Sequence, residues 1–299
     1  MNFKNSQCIF DIIYNDAQPI DVLASFSNIP PELDFVLPGM TAGTVGSIVA
    51  QGGVGKSWLA LEIASAVAGG PDLLEIGVGK TGPVLYLPAE DPTEAVQHRL
   101  HQLGQHLTPE GREAVADNLT VRPLMGVPTD IMKPETAEAI IRLAEGSRLI
   151  ILDTLRRFHT ADENAGGPMA ELLGVLECIC SKTGASILFL HHTAKSASLN
   201  GGGGEQQASR GSSVLVDNIR GGQMNLCVMS EAEATKAKLD LATRKRFIKL
   251  VQAKTNFGPP MPDKWLERGK GGILLPKAEI PAVKPDSRTA GRRRREIEQ

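Results

Sequence analysis

The sequence predicts an α/β domain with a mainly parallel, twisted sheet flanked by helices. Two observations lead to this class. Short apolar runs typical of buried strands alternate with helix-like runs from Thr44 onward, and parallel strands need helical crossovers of this kind. A glycine-rich turn, Ala50–Ser57, lies between the first strand and the first helix, as in loops that bind phosphate groups.

The individual elements follow from the length and spacing of the apolar runs. Uninterrupted runs of about 4–8 apolar residues indicate buried strands, whereas longer runs with helical spacing indicate helices. The predicted strands are Thr44–Ala50, Val84–Leu87, Leu149–Asp153, Ser186–His191, Met224–Met229 and Arg246–Lys254. The predicted helices are Lys56–Ala68, Pro92–Gln105, Thr136–Glu145 and Pro168–Thr183.

The chain is predicted to divide into three parts. Residues 1–43 precede the first clear strand, and we expect this N-terminal segment to lie against the core or against a neighbouring subunit. Residues 44–279 carry the predicted domain. Residues 280–299 are rich in charge and are predicted to form a disordered tail.

Composition limits the protein classes that fit. The 299 residues carry a net charge of -2, whereas a passive binder of nucleic acid is usually basic. We expect no membrane partner, because no run reaches the roughly 18 apolar residues of a membrane span. The four cysteines lack zinc-like spacing, so we expect a reduced, cytoplasmic protein in which Cys178 and Cys180 are buried within a helix.

The glycine-rich turn is the strongest local signal for function. Its glycines let backbone N–H groups point inward, where they bind phosphates together with the positive N-terminus of the next helix. The predicted nucleotide-binding residues are Gly52, Gly53, Val54, Gly55, Lys56, Ser57 and Trp58. Lys56 is expected to reach the β- and γ-phosphates of ATP, and the Ser57 hydroxyl is expected to bind Mg²⁺. Ala50 replaces the first glycine of the strict pattern, and a small residue there still permits the turn.

Two acidic residues at strand ends are predicted to complete the site. Asp153 follows four apolar residues and is the expected second ligand of Mg²⁺. Glu90 follows the strand Val84–Leu87 and is the candidate base that accepts a proton from the attacking water. Asp91 is the weaker candidate for the base. Alternatively, Glu90 and Asp91 only begin the next helix, where negative charge is favourable.

Two histidines, His191 and His192, end the predicted strand that begins at Ser186. Consecutive residues of a strand face opposite sides of the sheet, so we expect only one of them to face the nucleotide. That histidine is predicted to sense the γ-phosphate, and a buried structural histidine is the alternative.

The order of these residues resembles the RecA-like hexameric helicases. Glu90-Asp91-Pro92, followed by Arg99, is similar to the Glu-x-Pro…Arg motif of DnaB-type replicative helicases. Lys254–Pro259 resembles their Lys-x-Arg-x-Gly-Pro segment, which reaches the site of the neighbouring subunit. The resemblance is closer still to the RepA family of helicases from broad-host-range IncQ plasmids. It is carried by Gly52–Leu59, Tyr86–Pro92, Leu152–His159, His191–His192 and Gln206–Arg220, within about residues 30–270.

This resemblance implies a homo-oligomeric, hexameric DNA helicase with a RecA-like P-loop core. Such an enzyme would use ATP and Mg²⁺ to move along single-stranded DNA, in the 5′ to 3′ direction, during plasmid replication. Glu90 would be the catalytic carboxylate, His192 the sensor, and Lys254 part of the neighbouring subunit's site. Loading and priming would fall to other proteins, such as a plasmid replication initiator and a primase.

One departure from the helicase pattern concerns an arginine. Ring ATPases insert an arginine from one subunit into the next subunit's site, where it neutralises charge on the transferring phosphoryl group. Asn256 stands where the helicase motif has this arginine, and asparagine carries no charge. Arg220 and Arg210 are the candidates for the role. Arg220 is the favoured candidate, and an ordinary salt bridge is the alternative for either residue.

Two polar loops, Ala161–Pro168 and Ala194–Arg210, are predicted to face the central channel of such a ring. The second loop carries Lys195 and Arg210, which suit contacts to DNA phosphates that are independent of base sequence. It has no aromatic residue for base stacking. A surface loop without a function is the alternative.

Other function classes share part of the pattern. A RecA-like DNA-dependent ATPase without unwinding, such as a recombination mediator or a regulatory ATPase, would carry the same ATP-site residues. A small-molecule kinase would need an arginine-rich lid and a GTPase would need an Asn-Lys-x-Asp motif, and neither is evident in the sequence. The helicase is therefore the first hypothesis and the DNA-dependent ATPase the second.

Overall fold

The computed structural model of the chain describes residues 19–192 and 214–278. The chain divides into two compact units between Leu33 and Asp34. The described part of the first unit contains helix α1 (Val22–Ser27). Its N-cap residue Asp21 accepts a hydrogen bond at 2.9 Å from the backbone N–H of Ala24. Within the described ranges, no helix combines the length and apolar character needed to cross a bilayer.

The second unit is built around a nine-stranded sheet. Its strands are β3 (Val45–Ala50), β4 (Val84–Pro88), β5 (Leu119–Val121), β6 (Leu149–Asp153), β7 (Ser186–His192), β8 (Gln223–Val228), β9 (Phe247–Lys254), β10 (Lys264–Arg268) and β11 (Leu274–Pro276). Strands β1 (Phe35–Leu37) and β2 (Met40–Thr41) form a separate antiparallel pair.

Helices connect and cover the strands of this sheet. The α-helices are α2 (Lys56–Val67), α3 (Thr93–Gly104), α4 (Pro109–Asn118), α5 (Pro134–Leu143), α6 (Gly166–Thr183), α7 (Val214–Asn218) and α8 (Glu231–Lys236). Single 3₁₀ turns cover Leu155–Arg157, Thr243–Arg246 and Lys270–Gly272.

The strand order is β11-β10-β9-β8-β3-β7-β6-β4-β5. The six strands from β8 to β5 pair in parallel, and β9, β10 and β11 add antiparallel pairs at the other edge. This topology confirms the predicted α/β class with a mainly parallel sheet. It also brings the carboxyl ends of β3, β7, β6 and β4 to one edge.

The central strands are apolar because both of their faces are buried. Leu149 and Ile151 of β6 pack into a core shared with α2. The alternate residues Ile150 and Leu152 pack into a second core shared with α6. A strand covered on both sides reads as a continuous apolar run rather than as an alternating one, which explains why the sequence identified it.

Every predicted strand and helix within the described ranges is present, with its ends within two residues of the prediction. Several elements that are short or only partly buried were not predicted from the sequence: α1, α4, α7, α8, β1, β2, β5, β10 and β11. The prediction that Cys178 is buried is wrong. Cys178 is exposed and Cys180 is buried, because residues two apart on a helix lie on different faces.

A buried carboxyl group ties α2 to the end of the sheet. Glu62 of α2 is only 2% exposed, and its Oε1 accepts a hydrogen bond at 2.8 Å from the backbone N–H of Leu274 in β11. Its Oε2 has no hydrogen-bond partner among the described residues. Burial raises the pKa of Glu62 from 4.5 to about 8. The carboxyl is therefore neutral at pH 7.

We expect Glu62→Gln to remove part of the pH dependence of stability. The folded chain keeps the Glu62 proton up to about pH 8, whereas the unfolded chain releases it near pH 4.5. Stability contributed by the neutral form is therefore full below the lower pKa and is lost as the pH rises towards the upper one. Through this one group, the free energy of unfolding falls by at most about 1.4 kcal/mol per pH unit.

Urea unfolding across this pH range measures the effect. The wild type should lose free energy of unfolding relative to Glu62→Gln as the pH rises, and Glu110→Gln, at an exposed carboxyl, serves as the control. Parallel pH profiles for the wild type and Glu62→Gln would contradict the role of the Glu62 proton.

Candidate nucleotide-binding and catalytic site

The residues predicted to bind nucleotide lie at the carboxyl edge of the parallel strands. Strand register fixes their positions, since Ala50 at the end of β3 is opposite His192 of β7, and Pro88 of β4 is opposite Asp153 of β6. A cleft of about 340 Å³ opens at this edge. It is lined by Gly52, Gly53, Gly55, Lys56, Ser57, Trp58, Glu90, Asp91, Arg99, Thr154, His192, Arg268 and Gly272.

The turn between β3 and α2 has the backbone that its glycines predict. Gly53 and Gly55 have φ values of 75° and 118°, a region that residues with a side chain rarely adopt. Gly55 is the N-cap of α2, so the first N–H groups of the helix point towards the cleft. These N–H groups and the positive end of the helix can bind phosphate oxygens.

Lys56 lies at the floor of the cleft. Its Nζ donates hydrogen bonds to the carbonyl oxygens of Ala50 at 2.9 Å and Gln51 at 3.0 Å. Burial lowers the pKa of Lys56 to about 8, although the carboxylates of Asp153 and Glu90 oppose this shift.

His192 is the member of the histidine pair that faces the cleft. Its Nδ1 lies 3.3 Å from the Nζ of Lys56, and burial together with that ammonium group lowers the pKa of His192. The ring of His191 instead packs edge-on against Phe189, with 6.5 Å between the ring centroids. The strand thus separates the two histidines as expected, and the sensor role of His192 stays a prediction.

Asp153 and Ser57 form the candidate Mg²⁺ site. The phenol of Tyr86 donates a hydrogen bond to Oδ2 of Asp153 at 2.7 Å. Burial raises the pKa of Asp153, whereas hydrogen bonds from Tyr86 and Ser57 lower it. The described residues contain no group of three or more His, Cys, Asp or Glu side chains placed to hold a metal. Two oxygen ligands fit Mg²⁺, which keeps water and phosphate oxygens in its shell.

The two neighbouring acids, Glu90 and Asp91, have different partners. Asp91 forms an ion pair with Arg99, whose Nη1 lies 2.6 Å from Oδ2. Glu90 accepts a hydrogen bond at 2.9 Å from the hydroxyl of Thr154, the residue after Asp153. Glu90 also lies 3.6 Å from the Nε of Arg157, but that contact is longer and more exposed than the ion pair of Asp91. The tighter engagement of Asp91 therefore favours Glu90 as the base.

Several residues that position the site were not predicted from the sequence. Arg268 of β10 donates hydrogen bonds from Nη2 to the carbonyl oxygens of Gly53 at 3.0 Å and Val54 at 2.7 Å. Tyr86 and Thr154 orient the two carboxylates. Tyr86 lies two residues before Pro88, on the same side of β4, so strand alternation could have identified it. Arg268 has no such signal, because it comes from a distant part of the chain.

Other predicted residues lie away from the cleft or outside the described ranges. The Nζ of Lys254 donates hydrogen bonds to the carbonyl oxygens of Val216 at 2.8 Å and Asp217 at 2.7 Å, and Arg220 is exposed. Neither residue lines the cleft. The predictions for Lys195, Arg210 and residues 280–299 lie outside the described residues.

We expect Glu90→Gln to retain ATP binding and to lower the hydrolysis rate by about 10²–10⁴-fold, the range for loss of a general base. The amide keeps the size of the side chain but cannot accept the proton. Asp91→Asn is the matched control and should lower the rate less. Steady-state ATPase rates and equilibrium binding of ATP measure both. If Asp91→Asn were the inactive variant and Glu90→Gln the active one, Asp91 would be the base.

Comparisons with known proteins identify the family and the fold of the chain. A family profile described as "AAA domain" matches residues 16–198, which is more than half of the chain. A solved structure of a KaiC-like protein from the hyperthermophilic archaeon Pyrococcus horikoshii OT3 is similar, with a TM-score of 0.53 and 14% sequence identity. The match covers 83% of this chain and 95% of that one. That likeness shows the shared fold, and the family match over the nucleotide-binding turn and both strand-end acids shows that this chain belongs to the AAA domain family of P-loop ATPases.

Proposed function

We propose that the chain is an ATP-driven DNA helicase of plasmid replication, and that it works in the cytoplasm as a homo-oligomeric, hexameric ring. It would hydrolyse ATP in the presence of Mg²⁺, move along single-stranded DNA in the 5′ to 3′ direction and separate duplex ahead of it. A plasmid replication initiator and a primase would be its partners in loading and priming.

Each residue of the cleft has a chemical task in this proposal. The N–H groups of residues 52–57 and the ammonium of Lys56 bind and orient the phosphates. Mg²⁺, when bound at Ser57 and Asp153, supplies positive charge that stabilises the reacting phosphates. Glu90, oriented by Thr154, accepts a proton from the attacking water. His192, next to Lys56, reports whether the γ-phosphate is present.

The position of Arg220 is the observation that supports a ring with sites shared between chains. The N–H of Gly221 donates a hydrogen bond at 2.7 Å to the carbonyl of Val45, so Arg220 lies at the amino end of β3. The nucleotide-binding turn follows Ala50, at the carboxyl end of the same strand. At about 3.3 Å per residue, these two ends are about 16 Å apart. Arg220 is therefore suited to the cleft of another chain rather than to its own.

Side chains of the β9 region hold Arg220 at this edge. The Nδ2 of Asn256 donates hydrogen bonds to the carbonyl oxygens of Ile219 at 3.2 Å and Arg220 at 3.1 Å. Lys254 binds the carbonyl oxygens at the end of α7, as described above. Lys254 and Asn256 belong to the segment that resembles the helicases' subunit-bridging motif. Both residues form hydrogen bonds to the segment that contains Arg220. Arg210, the second candidate, lies outside the described residues, so the structure does not compare it with Arg220.

The alternative is a RecA-like DNA-dependent ATPase that does not unwind duplex, because the same cleft would serve both. A forked DNA with a labelled strand separates the two hypotheses. We expect ATP-dependent release of the labelled strand by the wild type and no release by Lys56→Ala. ATPase activity that DNA stimulates without any strand release would support the alternative instead.

Mixing two inactive variants tests the subunit-bridging arginine. We expect Arg220→Ala to bind ATP without hydrolysing it, as expected for Glu90→Gln. A ring that mixes Arg220→Ala and Glu90→Gln chains contains interfaces at which one chain supplies an intact Glu90 and the next chain supplies an intact Arg220. In a random equal mixture these are about a quarter of all interfaces, so activity of that order should return.

The control for the mixing experiment is Glu90→Gln mixed with wild type, which shows that subunits exchange. Zero activity at every ratio of the two inactive variants, with mixed rings demonstrated, would contradict action of Arg220 between subunits. Arg210 would then be tested by the same scheme.

A further inference from the structure

The edge hairpin formed by β10 and β11 contacts the nucleotide-binding turn through one arginine. Arg268, the last residue of β10, donates hydrogen bonds from a single nitrogen, Nη2, to the carbonyl oxygens of both Gly53 and Val54. A Cβ atom added to the next residue, Gly55, would lie 3.8 Å from the same nitrogen. The guanidinium group of Arg268 therefore lies against the part of the turn that leads into α2.

Peptide geometry gives these two hydrogen bonds a consequence for nucleotide binding. In a planar trans peptide unit, the carbonyl and the N–H point in opposite directions. The unit that carries the carbonyl of Gly53 also carries the N–H of Val54, and the next unit joins the carbonyl of Val54 to the N–H of Gly55. Arg268 thus holds both of these N–H groups pointing away from itself. In a glycine-rich turn of this kind, backbone N–H groups bind the α- and β-phosphates of the nucleotide.

The charge of Arg268 strengthens the same two donors. Hydrogen-bonded groups in series polarise one another, so a cation at the carbonyl of a peptide unit makes its N–H a stronger donor. The neighbouring acid Glu267 forms ion pairs with Arg246 at 2.8 Å and with Lys277 at 3.0 Å. Among the residues that the structure describes, no carboxylate forms an ion pair with Arg268, so its charge acts on the turn.

The hairpin that carries Arg268 is itself fixed to the helix that follows the turn. Arg268 is opposite Leu274 in the register of β10 and β11, and the N–H of Leu274 donates a hydrogen bond at 2.8 Å to the buried Glu62 of α2. The N–H of Gly269 donates one at 2.8 Å to the carbonyl of Ile273, which closes the hairpin. The backbone of Arg268 is therefore fixed relative to α2, so the side chain can hold the turn rather than follow it.

We propose that Arg268 is a positioning residue for nucleotide binding, which holds the N–H groups of Val54 and Gly55 in the orientation that binds the α- and β-phosphates. In this role it acts through the turn and does not contact the reacting γ-phosphate. Without Arg268 the two peptide units are free to rotate, and the need to order them on binding weakens the affinity. The inference rests on the nucleotide cleft and is independent of movement along DNA.

The first test is calorimetric binding of ADP and of a non-hydrolysable ATP analogue, both with Mg²⁺, to Arg268→Met. We expect both dissociation constants to rise about two- to tenfold, the range of one net hydrogen bond. The two factors should be equal, because both nucleotides carry the α- and β-phosphates. Arg268→Lys should keep most of the affinity, since one ammonium nitrogen can replace the one nitrogen that makes both contacts. Arg246→Met is the matched control, because Arg246 pairs with Glu267 instead.

The second test separates KM from kcat in steady-state ATP hydrolysis. An interaction made equally with the substrate and with the transition state changes KM and leaves kcat unchanged. We therefore expect Arg268→Met to raise the KM for ATP about two- to tenfold and to change kcat by less than about twofold. Thermal unfolding without nucleotide shows that the variant is folded at the temperature of the assay.

The outcomes separate this inference from a structural role of Arg268 and from the proposed function. If a folded Arg268→Met variant bound both nucleotides as tightly as the wild type, Arg268 would stabilise only the hairpin and the inference would be wrong. Weaker binding of the ATP analogue with unchanged binding of ADP would also overturn it, because that result indicates direct contact with the γ-phosphate. A wild type that hydrolyses ATP without separating strands would contradict the proposed function and leave this inference standing.

Discussion

The hydrogen-bond register of the buried parallel strands is the constraint on which the rest of the structure depends. Each of β3, β4 and β6 is apolar throughout or nearly so, and each is buried along its whole length. A slip of one residue would move every side chain to the opposite face of the sheet. Because two separate cores fix both faces, the strand ends meet at one edge with Lys56, Glu90, Asp153 and His192 in reach of one another.

That edge carries two charged groups that are buried, Lys56 and Asp153. Burial lowers the pKa of Lys56 and raises the pKa of Asp153, and neighbouring groups oppose both shifts. The cationic groups of the cleft are already engaged: Lys56 with backbone carbonyls, Arg99 with Asp91, and Arg268 with the nucleotide-binding turn. In the proposed ring, Arg220 of a second chain would add a further positive charge to the cleft.

The sequence predicted the part of the site that is encoded locally. The nucleotide-binding turn, the apolar strands and the acids that follow them depend on residues close together in the chain, so their spacing identified them. The two histidines were separated correctly, because strand alternation is also a local property. The choice between Glu90 and Asp91 needed the structure, since it depends on which acid Arg99 neutralises.

The remaining features depend on contacts between distant residues. Arg268 reaches the nucleotide-binding turn because β10 and β11 extend the sheet beyond β9, and no spacing in the sequence encodes that contact. Arg157 follows Asp153 by four residues, but its partner Glu90 lies on another strand. The position of Arg220 at the opposite end of β3 required the strand order.

The dependence of specific ATPase activity on protein concentration is the most direct measurement of whether the site needs two chains. If Arg220 completes the cleft of a neighbouring subunit, the activity per chain should fall on dilution, in step with the loss of assembled rings followed by mass measurement at the same concentrations. Activity per chain that stays constant down to concentrations at which only monomers remain would contradict a site shared between subunits.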